Sequence, residues 1–192
     1  MTNTFDQKKL DEAVAYATKK HEGIKRKGTD VPYIVHPLEA MAIVETISDD
    51  DKELMAAAVL HDVIEDTDAT YDDIKERFGK RVADIVLSES TTEIPNYKQM
   101  TWVESRQKAI DLLKMAPIDV KIVALGDKLS NMRAIHTDFK KLGDSFWQRF
   151  RVKDPKIHKW RYYELLNCFE GLENTNAYKE FKKLVIDTFD GV

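Results

Sequence analysis

Apolar residues recur along this chain at helical spacing and almost nowhere alternate as a strand would require. Phe5, Leu10, Val14 and Ala17 fall on one face of a first helix, with Asp6 placed to cap it. The stretch GIKRKGTDVPYIVHP breaks that pattern with glycines and prolines and reads as a long loop. Pro37 suits a first helical position and opens PLEAMAIVETI. A further helix is expected over 51–66, built on the apolar run LMAAAVL. Thr70 to Asp73 resembles a capping box, with Asp in place of the usual Glu, ahead of IKERF and Gly79.

Helices near 80–90 and 101–116 follow, and Pro117 separates the second from IDVKIVALGDKLSNMRAI. That segment is rich in β-branched residues, but its length and its continuation into DKLSNMR favour a helix. SFWQRFR, PKIHKWRYYELLNCFEGL and NAYKEFKKLVIDTF read as three more. There is no repeat, low-complexity tract or clear linker. The expectation is an all-α bundle of roughly eight to ten helices, forming a single domain over 1–192.

Composition narrows the function. At 192 residues, with 43% hydrophobic and 33% charged positions, the chain is an ordinary globular protein large enough for a substantial core. A formal net charge of −4 lacks the basic surplus that nucleic acid or an anionic membrane would ask for, so neither partner is expected. A small anionic ligand held by a few local cations remains compatible. The single cysteine, Cys168, excludes an internal disulfide and a thiolate metal site, and its apolar neighbours place it in the core. No apolar run is long enough to cross a bilayer and the first residues lack a signal-type segment, so the cytoplasm is the expected compartment. The pattern assigns no oligomeric state.

The densest chemistry lies in VLHDVIEDT, Val59 to Thr67. On a helix, with His61 taken as zero, Glu65 lies near ~40°, Asp62 near ~100° and Asp66 near ~140°. The four share one arc, while Leu60, Val63 and Ile64 point toward a core. A solvated acidic face would explain such an arc equally simply. The apolar flank argues for burial, however, and carboxylates crowded together repel one another unless a cation or proton is held among them. His36, at the mouth of a helix, and Asp127, polar in the middle of an apolar one, complete a set of imidazoles and carboxylates. Such a set suits a divalent ion such as Mn, Fe, Zn or Ni.

His36, the His61–Asp62 pair and Asp127 match the H…HD…D pattern of the HD phosphohydrolase superfamily. Three blocks, KRKGTDVPYIVHPLEA, AAVLHDVIEDTDATYDDIKERFGKRVADIV and VKIVALGDKLSNMRAI, resemble the hydrolase domain of RelA/SpoT-type alarmone enzymes. The likeness runs from about Phe5 to Ile135, with 140–192 as C-terminal helices of the same HD-type bundle. Too few residues follow it for a synthetase domain, so the chain resembles the stand-alone small alarmone hydrolases. That resemblance implies removal of the 3′-pyrophosphate from ppGpp or pppGpp, usually with Mn²⁺.

The resemblance also implies roles. His36, His61, Asp62 and Asp127 correspond to the metal ligands. Glu65 and Asp66 are the pair that would position and deprotonate water or protonate the leaving group. Arg26 and Lys27 match a basic pair near the nucleotide, and Asn131 matches a contact to its sugar. Gly126 stands where Ala is frequent, a difference expected to matter little. Two competing readings remain: an HD phosphohydrolase for another nucleotide, such as NADPH or a deoxynucleotide 5′-monophosphate, and a binding protein without turnover. His21, His136 and His158 lack metal-type spacing and are expected to pack. Trp160, Tyr162 or Tyr163 is a candidate wall of the pocket, and Thr91 to Trp102 a candidate loop over it.

Overall fold

Ten α-helical segments form among the described residues, 5–90 and 94–191, of the computed structural model. They are α1 (Gln7–Lys20), α2 (Val35–Glu45), α3 (Lys52–Leu60), α4 (Val63–Asp66), α5 (Tyr71–Phe78), α6 (Lys80–Glu89), α7 (Trp102–Lys114), α8 (Ile118–Leu142), α9 (Pro155–Leu166) and α10 (Asn176–Phe189). The architecture is all-α, and among the described residues the one β-type contact is an isolated bridge between Lys25 and Pro32.

Side-chain caps set most of the starts. Asp6 accepts from the Lys9 amide at 3.0 Å, and Asp51, Asp154 and Thr175 act likewise for α3, α9 and α10. Thr70 with Asp73 and Thr101 with Glu104 form reciprocal capping boxes, the second unnoticed in the sequence. Each satisfies amides that a helix cannot pair internally, worth about 1 kcal/mol.

The core is built around α8, whose 25 residues span about 38 Å. It packs against α2, α3, α6 and α10, and burial runs almost unbroken from Val120 to Met132. That is why its β-branched stretch is helical: a helix enclosed on all sides needs no polar stripe. α2 packs against both α3 and α8. Arg81 on α6 pairs with Asp51 and Glu53 at the start of α3 and with Asp119 at the start of α8, holding those ends together.

Four expectations are corrected. The helix over 51–66 is interrupted: α3 ends at Leu60, His61 and Asp62 form a turn, and α4 is one short segment. The His61 ring reaches back to the Ala58 carbonyl, and Asp62, at φ −96°, ψ −4°, stands at the N-cap of α4. α2 opens at Val35, so Pro37 is its third residue, still in the first turn where no amide partner is required. Of SFWQRFR, Ser145 to Arg149 belong to a 3-10 segment over Gly143–Arg149 that buries Phe146 and Trp147, and Phe150 beyond it is extended. Gly126 is not interchangeable with Ala. A Cβ there would lie 2.8 Å from Val44 Cγ2 and 2.9 Å from the Ala40 carbonyl oxygen, so the glycine permits the close approach of α2 and α8. Of the candidate loop over the site, Thr91 to Glu93 lie outside the described residues; Tyr97–Gln99 is a 3-10 turn and Trp102 already belongs to α7.

Candidate active site

Three elements bring the central group together. His36 comes from the first turn of α2, His61 and Asp62 from the turn after α3, and Asp127 from the middle of α8. His36, His61 and Asp62 present ligand atoms all within 4.8 Å of one another. Asp127 Oδ1 lies 3.1 Å from His36 Nε2 and 3.7 Å from His61 Nε2. The two imidazoles meet nearly edge to face, with centroids 5.0 Å apart.

Hydrogen bonding fixes which nitrogen each ring offers. His61 Nδ1 is 2.7 Å from the Ala58 carbonyl oxygen, which only accepts, so Nδ1 carries a proton and Nε2 faces the cluster. The Ser130 hydroxyl donates to Glu39 Oε2 at 2.6 Å, so it must accept from His36 Nδ1 at 2.8 Å. His36 Nε2 is therefore likewise turned inward. Holding the distal nitrogen by a hydrogen bond is the usual way a metal-binding imidazole is oriented.

The cluster fits a divalent cation. His61 Nε2 is sealed from solvent and makes no hydrogen bond, although Asp62 Oδ2 is only 2.8 Å away. Burial opposes charge on both groups, but their mutual attraction outweighs it, holding Asp62 below and His61 above their ordinary values. Asp127 is likewise held well below the usual range: the Lys128 ammonium, His36 and His61 outweigh its burial. Two ionised carboxylates thus face two inward nitrogens, a field that favours a cation among them.

Further residues support this group. The Tyr33 hydroxyl donates to Asp62 Oδ2 at 2.6 Å, and burial beside carboxylates keeps it protonated. Lys128 donates to Asp127 Oδ2 and lies 3.4 Å from Glu89, while Asn131 donates to Asp127 Oδ1 at 2.5 Å. Sequence reasoning missed Tyr33, Lys128, Ser130 and Glu39. Their signals were slight: Tyr33 stands three residues before His36, Lys128 adjoins Asp127, and Ser130 is one turn from it.

Glu65 and Asp66 sit exposed on α4 beside the cluster. Local desolvation and the Asp62 charge raise the Asp66 carboxyl to about 6. A carboxyl poised there can take or give a proton near neutrality.

A cleft of about 520 Å³, within the usual range for small-molecule sites, opens over His36. Arg26, Lys27 and Asn131 line it, and the Arg26 guanidinium donates to Asn131 Oδ1 at 3.1 Å. Of the three candidate walls only Tyr162 lines the cleft; Trp160 and Tyr163 pack against the core. Trp102 and His158 also line it, so His158 does more than pack inside; its Nε2 donates to the Val152 carbonyl at 2.8 Å. His21 packs its ring 5.0 Å from Tyr33, and His136 bonds to Thr188 on α10. Cys168 is buried in the core.

The sequence model of the HD domain family matches residues 13–151, a span containing the cluster and most of the cleft's cationic residues. The chain belongs to the HD domain family. The guanosine-3′,5′-bis(diphosphate) 3′-pyrophosphohydrolase of Aquifex aeolicus (strain VF5) is 39% identical to it over 127 residues. That match takes in 66% of this chain but 18% of the relative, so the chain spans under a fifth of that protein's length. The guanosine-3′,5′-bis(diphosphate) 3′-pyrophosphohydrolase MESH1 of Danio rerio is 31% identical over 176 residues, 90% of this chain and 89% of the relative. Among solved structures, one described as a metazoan ortholog of SpoT that hydrolyzes ppGpp superposes with a TM-score of 0.76, covering 96% of this chain and 97% of that one. At 23% identity it speaks for the HD fold alone.

Proposed function

We propose that this chain is a divalent-metal-dependent pyrophosphohydrolase that converts ppGpp or pppGpp, with one water, to GDP or GTP and pyrophosphate. The observation that carries the reading is the inward-facing cluster of His36, His61, Asp62 and Asp127, whose His36 lines a cationic, aromatic cleft. Relatives over most of the chain's length bear the name of that activity, which supports the choice of substrate.

His36, His61, Asp62 and Asp127 would hold the metal, and Mn²⁺ is the ion we propose. When bound, it supplies Lewis acidity and lowers the pKa of water at the site. Tyr33 orients Asp62, and Ser130 with Glu39 orients His36, so the ligand atoms are set before anything binds. Glu65 and Asp66 position the attacking water and handle its proton. Asp66, raised to about 6, stays protonated in a useful fraction of molecules near neutrality. Arg26 stacks on the guanine while Lys27 meets phosphate, and Asn131 holds the sugar. Among the described residues no helix is long and apolar enough to cross a membrane, and the cytoplasm is the compartment we propose.

The test is pyrophosphate release from ppGpp by purified protein with Mn²⁺, with Asp62→Ala as control. Release that vanishes in the variant supports activity and site together. No release from folded, metal-loaded protein removes the alarmone assignment and directs attention to other phosphorylated nucleotides.

A further inference from the structure

We propose that Arg161, which shares the Trp102 indole with Arg106, is an anion socket that receives a phosphate group of the substrate beside the metal cluster. The alarmone reading supplies the identity of that anion; the socket itself rests on geometry. The guanidinium carbon of Arg161 on α9 lies 5.9 Å from the Trp102 ring centroid, and that of Arg106 on α7 lies 5.7 Å from it. Arg161 is also 5.6 Å from the Tyr162 ring. Aromatic faces of this kind hold a guanidinium plane in place while leaving its N–H edge for a ligand.

Neither cation has a carboxylate partner among the described residues. Arg81, Arg133 and Arg149, by comparison, each pair with one or more carboxylates. Arg106 Nε is sealed from solvent and makes no hydrogen bond. Burial and the nearby Arg106 charge both work against the Arg161 cation, while Asp127 and Glu65 favour it from a distance. A desolvated Arg161 cation beside a second guanidinium is unfavourable until an anion joins them. Arg161 lines the cleft over His36 and also a second cavity of about 290 Å³, so it stands where a ligand can reach it. It shares the lining of that cleft with His36 of the cluster. A phosphate there would take bidentate hydrogen bonds from the guanidinium.

The test is calorimetric titration of the full chain with inorganic pyrophosphate, after dialysis to remove loose metal, for wild type, Arg161→Met and Arg161→Lys. Loss of a charge-assisted bidentate contact should weaken pyrophosphate binding about 10- to 100-fold in Arg161→Met, with Arg161→Lys recovering part of it. The thermal midpoint of Arg161→Met should stay level or rise, because an unpaired buried charge has been removed. An affinity within about twofold of wild type in Arg161→Met, or no advantage for Lys over Met, overturns the proposal; twofold is only ~0.4 kcal/mol. Pyrophosphate binding that depends on Arg161 in a protein inert toward ppGpp would uphold the socket and reject the alarmone reading.

Discussion

Gly126 and Ala40 touch backbone to backbone: a Cβ on Gly126 would come to 2.9 Å from the Ala40 carbonyl oxygen and 2.8 Å from the neighbouring Val44 side chain. The contact lies one residue from Asp127 and one turn from His36, so it sets how far apart α2 and α8 hold their ligand atoms. Gly126→Ala adds helix propensity of about 1 kcal/mol but forces the helices apart against a backbone atom, and such overpacking costs about 1–3 kcal/mol. The expected net result is destabilisation together with weaker metal retention. Urea unfolding and metal analysis of the purified variant check it, and a variant as stable and as metal-rich as wild type would refute the close-approach argument.

The ligand and proton-handling roles separate by mutation. Asp62→Ala should lose metal and turnover together, because it removes a carboxylate from within the cluster. Glu65→Ala should lose turnover and keep its metal. Metal stoichiometry measured alongside pyrophosphate release distinguishes them, and equal metal loss in both variants would make Glu65 a ligand. Chelation of the metal from wild type should abolish turnover, with recovery on adding Mn²⁺.

Ser130→Ala leaves all four proposed ligands in place but removes the acceptor for His36 Nδ1. It also strips Glu39 of a partner. Supporting partners of this kind typically matter by about 10–100-fold in metal affinity or activity. Competition of the variant against a chelator of known affinity measures the shift. Unchanged affinity would mean that packing alone orients the ring.

Asp66 gives a prediction for stability against pH in metal-free protein. Its folded value of about 6 lies above the ordinary carboxylate value. Between those values the native state binds more protons than the unfolded state, so this group makes stability fall as pH rises through the window. Asp66→Asn should therefore be more stable than wild type at pH 7, by about 1 kcal/mol or less given the residue's solvent access. That advantage should disappear near pH 4, where the wild-type carboxyl is protonated in the native state. Thermal melts of both proteins at the two pH values test this. An advantage that persists undiminished at low pH would assign it to something other than ionisation.

Much of this protein could be read in one dimension. Helical periodicity, capping residues and sparse glycine predict an all-α chain, because each of these signals acts within a few neighbouring residues. His36, His61, Asp62 and Asp127 were legible as candidates because an ionisable residue in an apolar segment stands out. Asn131 follows from Asp127 by one helical turn, and it does donate to Asp127.

Tertiary packing decided the rest. The continuous helix expected over 51–66 gives way at His61 and Asp62, where an inward imidazole takes a backbone carbonyl and the next carboxylate turns to Tyr33. Pattern alone could not weigh that hydrogen bond against helical propensity. Tyr33, Ser130 and Glu39 carry no distinctive spacing; they matter because α2 and the loop before it fold back onto α8. Arg161 and Arg106 lie 55 positions apart and are ordinary arginines in the sequence. Only the packing of α7 beside α9 places both on Trp102, without a carboxylate partner among the described residues. Local interactions therefore determined the helices and marked the ionisable residues, while long-range packing fixed their distances, tautomers and partners, since those depend on which distant surfaces must share one buried space.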